Sequence, residues 1–397
     1  MSLNETPSAE RLHIGFFGMR NAGKSSLVNA VTGQDLSVVS PVKGTTTDPV
    51  KKAMELLPLG PVVILDTPGL DDEDDLGQLR VKKARDALNK TDLAVLVVDA
   101  AVGLRTEDEA LRKELEERKI PYVVVHNKAD LVAKRENGLY VSAVTGEGVD
   151  LLKEKLGEFA KQRKTPRVLV ADLLQPGDVV VLVTPIDESA PKGRIILPQQ
   201  MTLREVLDCH ASAVVCQPEE LEAVLKGLHK PPRMVITDSQ VFGKVAKIVP
   251  QDIILTSFSI LMARYKGDLK SLVQGAAVLK TLKDGDKVLI SEGCTHHRQC
   301  NDIGTVKMPG WIEGFSGAKP EYHFTSGGEF KEDLCQYKVI VHCGGCMLNE
   351  AEMKHRMAKA AECGVPIVNY GIAIAPMHGI LPRSLELFPE DLALLGE

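Results

Sequence analysis

Aromatic residues are scarce in this chain of 397 residues: they make up 4% of it, with a single tryptophan. Cores with so few rings are packed from aliphatic side chains, which suits the buried strands of parallel α/β layers. No apolar run approaches the roughly 20 residues that span a bilayer. The stretch from Met1 to Glu10 is polar and lacks the apolar centre of a secretory signal. The reading is therefore a cytoplasmic protein with no membrane partner. Long basic runs are missing too, and the formal net charge is −6. Phosphate-backbone binding draws on clustered Lys and Arg, so nucleic acid is not an expected partner. The first half has no cysteine at all; all eight lie between Cys209 and Cys363. In a reducing compartment this asymmetry points to a localised metal or redox function and away from a disulfide framework.

What is present begins with Gly18-Met-Arg-Asn21-Ala22-Gly23-Lys24-Ser25-Ser26, between a strand-like run and the expected start of a helix. This is a P-loop in its proper setting. The backbone N–H groups curl round a β-phosphate, Lys24 neutralises phosphate oxygens, and the Ser25 hydroxyl is offered to Mg²⁺. The aliphatic run Pro61–Leu65 then ends in Asp66-Thr-Pro-Gly69. Asp66 is read as holding Mg²⁺ through water, and the Gly69 N–H as sensing a γ-phosphate. After Pro121–His126 comes Asn127-Lys128-Ala-Asp130. A carboxylate at Asp130 accepts from guanine N1–H and N2–H₂, a donor pair that adenine lacks. Lys128 packs over the purine, Asn127 tethers neighbouring loops, and Ser142-Ala143 places an N–H near guanine O6. Four motifs in order predict a GTPase. Thr46, in Gly44-Thr45-Thr46-Thr47, is the expected second Mg²⁺ ligand of the first switch. Leu70 stands where a water-positioning Gln would follow Gly69. Unassisted turnover of about 10⁻² s⁻¹ or slower is expected, as suits a switch.

Lys161–Arg167 is charged and proline-interrupted, and reads as a linker. Beyond it, strands near 179–183, 213–216 and 234–237 alternate with helices near 203–209, 218–228 and 240–249, a small parallel α/β layer. It carries no phosphate loop and no acid–base set. Cys209 and Cys216 read as core residues, His210 as a surface or capping residue, and the domain as a dimerisation surface.

Two cysteine motifs follow, each after an aliphatic strand: Cys294-Thr-His296-His297 and His342-Cys343-Gly344-Gly345-Cys346. Loops leaving the carboxyl ends of neighbouring parallel strands are where α/β domains place ligand sites. Three thiolates with one or two imidazoles there make a metal site. A Cys₃His tetrahedron suits structural Zn²⁺; three Cys with an exchangeable fourth group suit an open 4Fe–4S cluster. His296, His342, Asp302 and solvent are the candidates for that fourth position. Cys300 is ambiguous. Cys335 and Cys363 are expected at the opposite edge of the sheet, as packing residues. The stretch 310–328 reads as a glycine-rich excursion.

Asn21 and the Gly-Thr-Thr switch resemble the potassium-activated GTPases of the TrmE type, which implies a K⁺ held by that Asn and switch carbonyls in place of an arginine finger. Cys-x-His, then 45 residues, then His-Cys-x-x-Cys, behind such a GTPase, resembles the HydF family of [FeFe]-hydrogenase maturation GTPases. The resemblance covers essentially the whole chain. It implies a P-loop GTPase domain (1–165), a dimerisation domain (166–265) and an iron–sulfur domain (266–397), the last two being smaller α/β domains with mainly parallel sheets. It further implies that Cys294, Cys343 and Cys346 hold the cluster while the fourth ligand varies. Some relatives have a carboxylate ligand just before an Asp-Ile-Gly run; here Asn301 precedes Asp302-Ile-Gly304. The implied role is a homodimeric scaffold and carrier. It takes a transient di-iron precursor from the radical-SAM maturases HydE and HydG and delivers it to apo-[FeFe]-hydrogenase. The competing readings are a TrmE-like GTPase for tRNA modification or ribosome assembly with structural zinc, and a redox enzyme.

Overall fold

The computed structural model describes residues 7–35, 50–69, 75–133, 137–162, 168–186, 195–267, 269–293, 303–327, 329–345 and 348–395. The chain forms two compact units, Met1–Thr165 with Asn349–Glu352, and Pro166–Leu348 with Met353–Glu397.

The first unit holds strands β1 (Leu12–Phe17), β2 (Val50–Leu56), β3 (Gly60–Asp66), β4 (Leu93–Asp99), β5 (Tyr122–Asn127) and β6 (Leu139–Tyr140). They form one sheet in the order β2-β3-β1-β4-β5-β6. Only β2 runs antiparallel, joined to β3 by a tight turn. The strand β4, LAVLVVD, is buried at six of its seven positions, as expected of a strand covered by helices on both faces. On one face Leu27, Val28 and Val31 of the helix Lys24–Thr32 pack with Leu152 and Leu156 of the helix Val149–Gln162. On the other, Phe17 packs with Leu88, Leu111 and Leu115.

The second unit holds two all-parallel sheets. One contains β7 (Val179–Val183), β8 (Ser212–Cys216), β9 (Met234–Thr237) and β10 (Ile254–Ser257), in the order β10-β9-β7-β8. The other contains β11 (Lys287–Glu292), β12 (Glu321–Ser326), β13 (Val339–His342) and β14 (Ile367–Asn369), in the order β12-β11-β13-β14. Val181 and Val235 of the first sheet belong to the same apolar core as Leu272, Val288 and Val339. Polar ties also hold β10 and the residue before it to the short helix Leu381–Ser384: Thr256 Oγ1 donates to Ser384 O at 2.9 Å, and Arg383 Nη2 donates to Ile253 O at 2.9 Å. A fold of P-loop GTPase plus smaller, mainly parallel α/β layers is what the sequence predicts.

Three local readings need correction. The stretch 310–328 is a helix, Met308–Ser316, followed by strand β12. Pro309 sits in its first turn, where a missing N–H costs nothing, and Gly317 ends it in the left-handed conformation. The strand β10, only four residues long, adds a fourth member to the middle sheet. Cys335 and Cys363 do lie away from the cysteine loops, but they are joined in a disulfide with Cα atoms 4.9 Å apart. The sequence predicts packing alone for them; the turn before β13 meets the end of the helix Glu350–Glu362 there and brings the two sulfurs together. Cys209 and Cys216 are half-buried against the two cores. Burial pushes both thiols up, which favours the neutral form over a metal-binding thiolate.

Candidate nucleotide and metal sites

The loop after β1 turns into the helix Lys24–Thr32 through Gly23, whose φ of +85° is open to glycine. A helix N-terminus thus faces the loop, a natural anion site. The Lys24 ammonium is buried there and donates to Gly18 O at 3.0 Å and Met19 O at 2.8 Å. One residue on, Ser25 Oγ donates to Asp66 Oδ2 at 2.7 Å. Asp66 closes β3 in register with Phe16, and Thr67 Oγ1 donates to Phe16 O at 2.6 Å, fixing the strand end. A hydroxyl and a carboxylate side by side at a phosphate-binding turn are hard oxygen donors and fit Mg²⁺.

Asn127 ends β5 and ties three loops. Its Nδ2 donates to Ala22 O at 2.9 Å and Gly23 O at 3.3 Å, and its Oδ1 accepts from the Ala143 N–H at 3.2 Å. Ser142 Oγ donates to Asp130 Oδ1 at 2.5 Å, orienting that carboxylate. Lys128 pairs with Asp99 Oδ2 at 2.6 Å. The Asp99 contact was invisible in sequence, since nothing in LAVLVVD singles out its last residue. An open cavity of about 370 Å³ lies beside this group, lined by Ser26, Asn29, Ala30, Gly33 and Ala143 among others. Asn21 has a left-handed φ of 62° and lines, with Arg20, a second cavity of about 260 Å³. Gly69 follows β3 and is half-buried. Thr46 and Leu70 lie outside the described residues.

In the second unit β11 and β13 are neighbouring parallel strands, with Ser291 opposite His342. Their chains leave from the same edge of the sheet. Cys343 N donates to Ser291 O at 2.9 Å. The Cys343 sulfur accepts N–H bonds from Gly293 at 3.0 Å and Gly345 at 3.4 Å. Such bonds favour a thiolate, and with it a metal–sulfur bond. Cys294 and Cys346 are the next residues after Gly293 and Gly345, but they lie outside the described residues, as do His296, His297, Cys300 and Asp302. His342, read from the sequence as a candidate fourth ligand, is 1% exposed and has a protein partner at each ring nitrogen, which leaves neither nitrogen open to a metal. Nδ1 donates to Cys343 O at 2.6 Å, and Nε2 accepts from Arg356 Nη1 at 3.0 Å. Among the described residues no group of three or more His, Cys, Asp or Glu converges.

Three families match in succession: "50S ribosome-binding GTPase" over residues 13–128, "Hydrogen maturase F dimerization domain" over 169–267, and "Hydrogen maturase F tetramerization domain" over 270–387. The chain belongs to the hydrogen maturase F family. Its first unit is a GTPase domain. There the chain is 36% identical over 156 residues to the tRNA modification GTPase MnmE of Thiobacillus denitrificans, covering 38% of this chain and 34% of the relative. To MnmE of Methylococcus capsulatus it is 40% identical over 157 residues, 37% of this chain and 34% of the relative. The chain thus spans about a third of the length of these relatives. A solved structure of Era with MgGDPNP and nucleotides of 16S ribosomal RNA covers 57% of this chain and 90% of its own, at 22% identity and a TM-score of 0.35. That likeness is too low to bear on the assignment.

Proposed function

We propose that the chain is a GTP-hydrolysing scaffold that carries a 4Fe–4S cluster and hands a di-iron precursor to apo-[FeFe]-hydrogenase. The observation that carries this reading is the Cys343 sulfur, cradled by two N–H groups at the shared edge of β11 and β13 in a chain that also has a GTPase site. Cys294, Cys343 and Cys346 would hold the cluster, with His296, Asp302 or solvent at the fourth iron. A bound cluster would supply an iron able to accept an exchangeable ligand. Ser25, Asp66 and Thr46 would hold Mg²⁺, which neutralises phosphate charge. Asn21 would hold K⁺. Lys24 and the P-loop amides orient the phosphates, and Gly69 reads the γ-phosphate.

Residues 1–165, 166–265 and 266–397 act as GTPase, dimerisation and cluster modules of a self-associating cytoplasmic protein, supplied by the radical-SAM maturases HydE and HydG. Among the described residues no helix is long and apolar enough to cross a membrane. A nucleotide-dependent difference of about 1.4 kcal/mol in partner affinity changes occupancy tenfold, so slow hydrolysis suffices to time an exchange.

Anaerobic purification, metal counting and EPR after dithionite reduction test the reading. About four irons per chain and a signal lost in Cys343→Ala are expected, with transfer to an apo-hydrogenase. One zinc, no iron and salt-sensitive RNA binding would establish the tRNA-directed alternative instead. Hydrolysis should be faster in K⁺ than in Na⁺, and Asn21→Ala should erase the difference.

A further inference from the structure

Two long cations are buried behind the cysteine loop, and neither belongs to a sequence motif. Lys266, the last residue of the helix Phe258–Lys266, is 7% exposed. Its ammonium donates to Gly345 O at 3.0 Å and to Leu348 O at 3.2 Å, on either side of the position of Cys346. Arg356, on the helix Glu350–Glu362, is 1% exposed. Its guanidinium reaches the carboxyl ends of three neighbouring strands. Nη1 donates to His342 Nε2 at 3.0 Å on β13 and lies 3.4 Å from Ser291 Oγ on β11; Nη2 donates to Gly327 O at 2.9 Å, just past β12. The Phe330 ring lies 5.0 Å from its centre.

Burying such a cation carries a desolvation penalty that its hydrogen-bond partners must offset, and two at one loop are more than packing alone calls for. Their contacts bear on how the loop is held. Arg356 donates to Nε2, so the His342 proton sits on Nδ1 and bonds the Cys343 carbonyl. Lys266 fixes Gly345, whose φ of +61° is one that favours glycine. In a low-dielectric site these charges also act on any electron added nearby.

We propose that Lys266 and Arg356 are positioning residues for Cys343, holding the backbone at Gly345 and Leu348 and the His342–Cys343 hydrogen bond in place, and that they raise the electron affinity of the cluster that Cys343 would help to hold. This rests on the cluster reading above. The test is a potentiometric EPR titration of anaerobically reconstituted full-length chain, with iron counts and thermal melts alongside. At the midpoint of the unaltered chain, Lys266→Met should have a reduced-to-oxidised ratio about tenfold lower, equivalent to 59 mV for a one-electron couple. Lys266→Arg, which keeps the charge, should stay within about threefold. Arg356→Lys keeps the charge but loses the fork, so its EPR g-values should change while its midpoint ratio moves less than tenfold. A folded, iron-loaded Lys266→Met with an unaltered ratio would overturn the proposal, whatever its melting temperature. Should Lys266→Met not fold, unchanged g-values in Arg356→Lys would do the same. Iron absent from the unaltered chain would overturn both this proposal and the cluster reading.

Discussion

Replacing Gly23 by alanine separates backbone strain from the joint that holds the nucleotide site together. A Cβ at Gly23 would lie 2.3 Å from Asn127 Nδ2, the atom that bonds Ala22 O and Gly23 O. The left-handed φ costs an L-residue about 1–2 kcal/mol. Displacing the Asn127 amide forfeits two hydrogen bonds, worth roughly 0.5–1.5 kcal/mol each. The total is about 2–5 kcal/mol. Gly60 is the control, because its φ is +86° and nothing lies within 4 Å of its added Cβ. Gly60→Ala should therefore cost only the strain, about 1–2 kcal/mol. Urea unfolding measures both costs, and titration with a fluorescent guanine nucleotide reports the site. Gly23→Ala should lose at least tenfold in nucleotide affinity while Gly60→Ala loses almost none. If the two variants unfold alike and bind nucleotide alike, the Asn127 joint does not have the role assigned to it.

Asp130→Asn removes a charge-assisted acceptor, so GTP affinity should fall about tenfold to a hundredfold and xanthosine triphosphate should gain; competition binding reads both. Under the proposed cluster role, Cys343→Ala should abolish iron loading yet leave nucleotide affinity unchanged in the same titration. The Arg264 guanidinium, donating to Asp172 Oδ1 at 2.9 Å, holds that carboxyl below its ordinary range. A depressed folded pKa adds stability above the unfolded value, lost as pH falls through the folded one. Asp172→Asn should thus melt earlier than the parent at neutral pH, and the gap should close below the ordinary carboxylate range.

The GTPase half was legible because its chemistry is local. P-loop, Asp66-x-x-Gly69 and Asn127-Lys-x-Asp130 are short runs bounded by aliphatic strands, and their meeting follows from where parallel strands end. Strand β12 was hidden because EYHFTS is mixed along one edge of its sheet, with Phe324 left exposed. The short β10 was missed because ILTS offers too few residues to show a period.

The sequence alone singled out candidate side chains for phosphate, guanine and metal, since those chemistries need particular groups at short spacings. Only the tertiary structure decided which groups those residues lean on. Asp99 beneath Lys128, Arg356 behind His342, Lys266 against Gly345 and Cys335 bonded to Cys363 are all contacts between distant segments. No spacing rule reaches across 79 residues from Lys266 to Gly345; the packing of helices on a sheet brings them together.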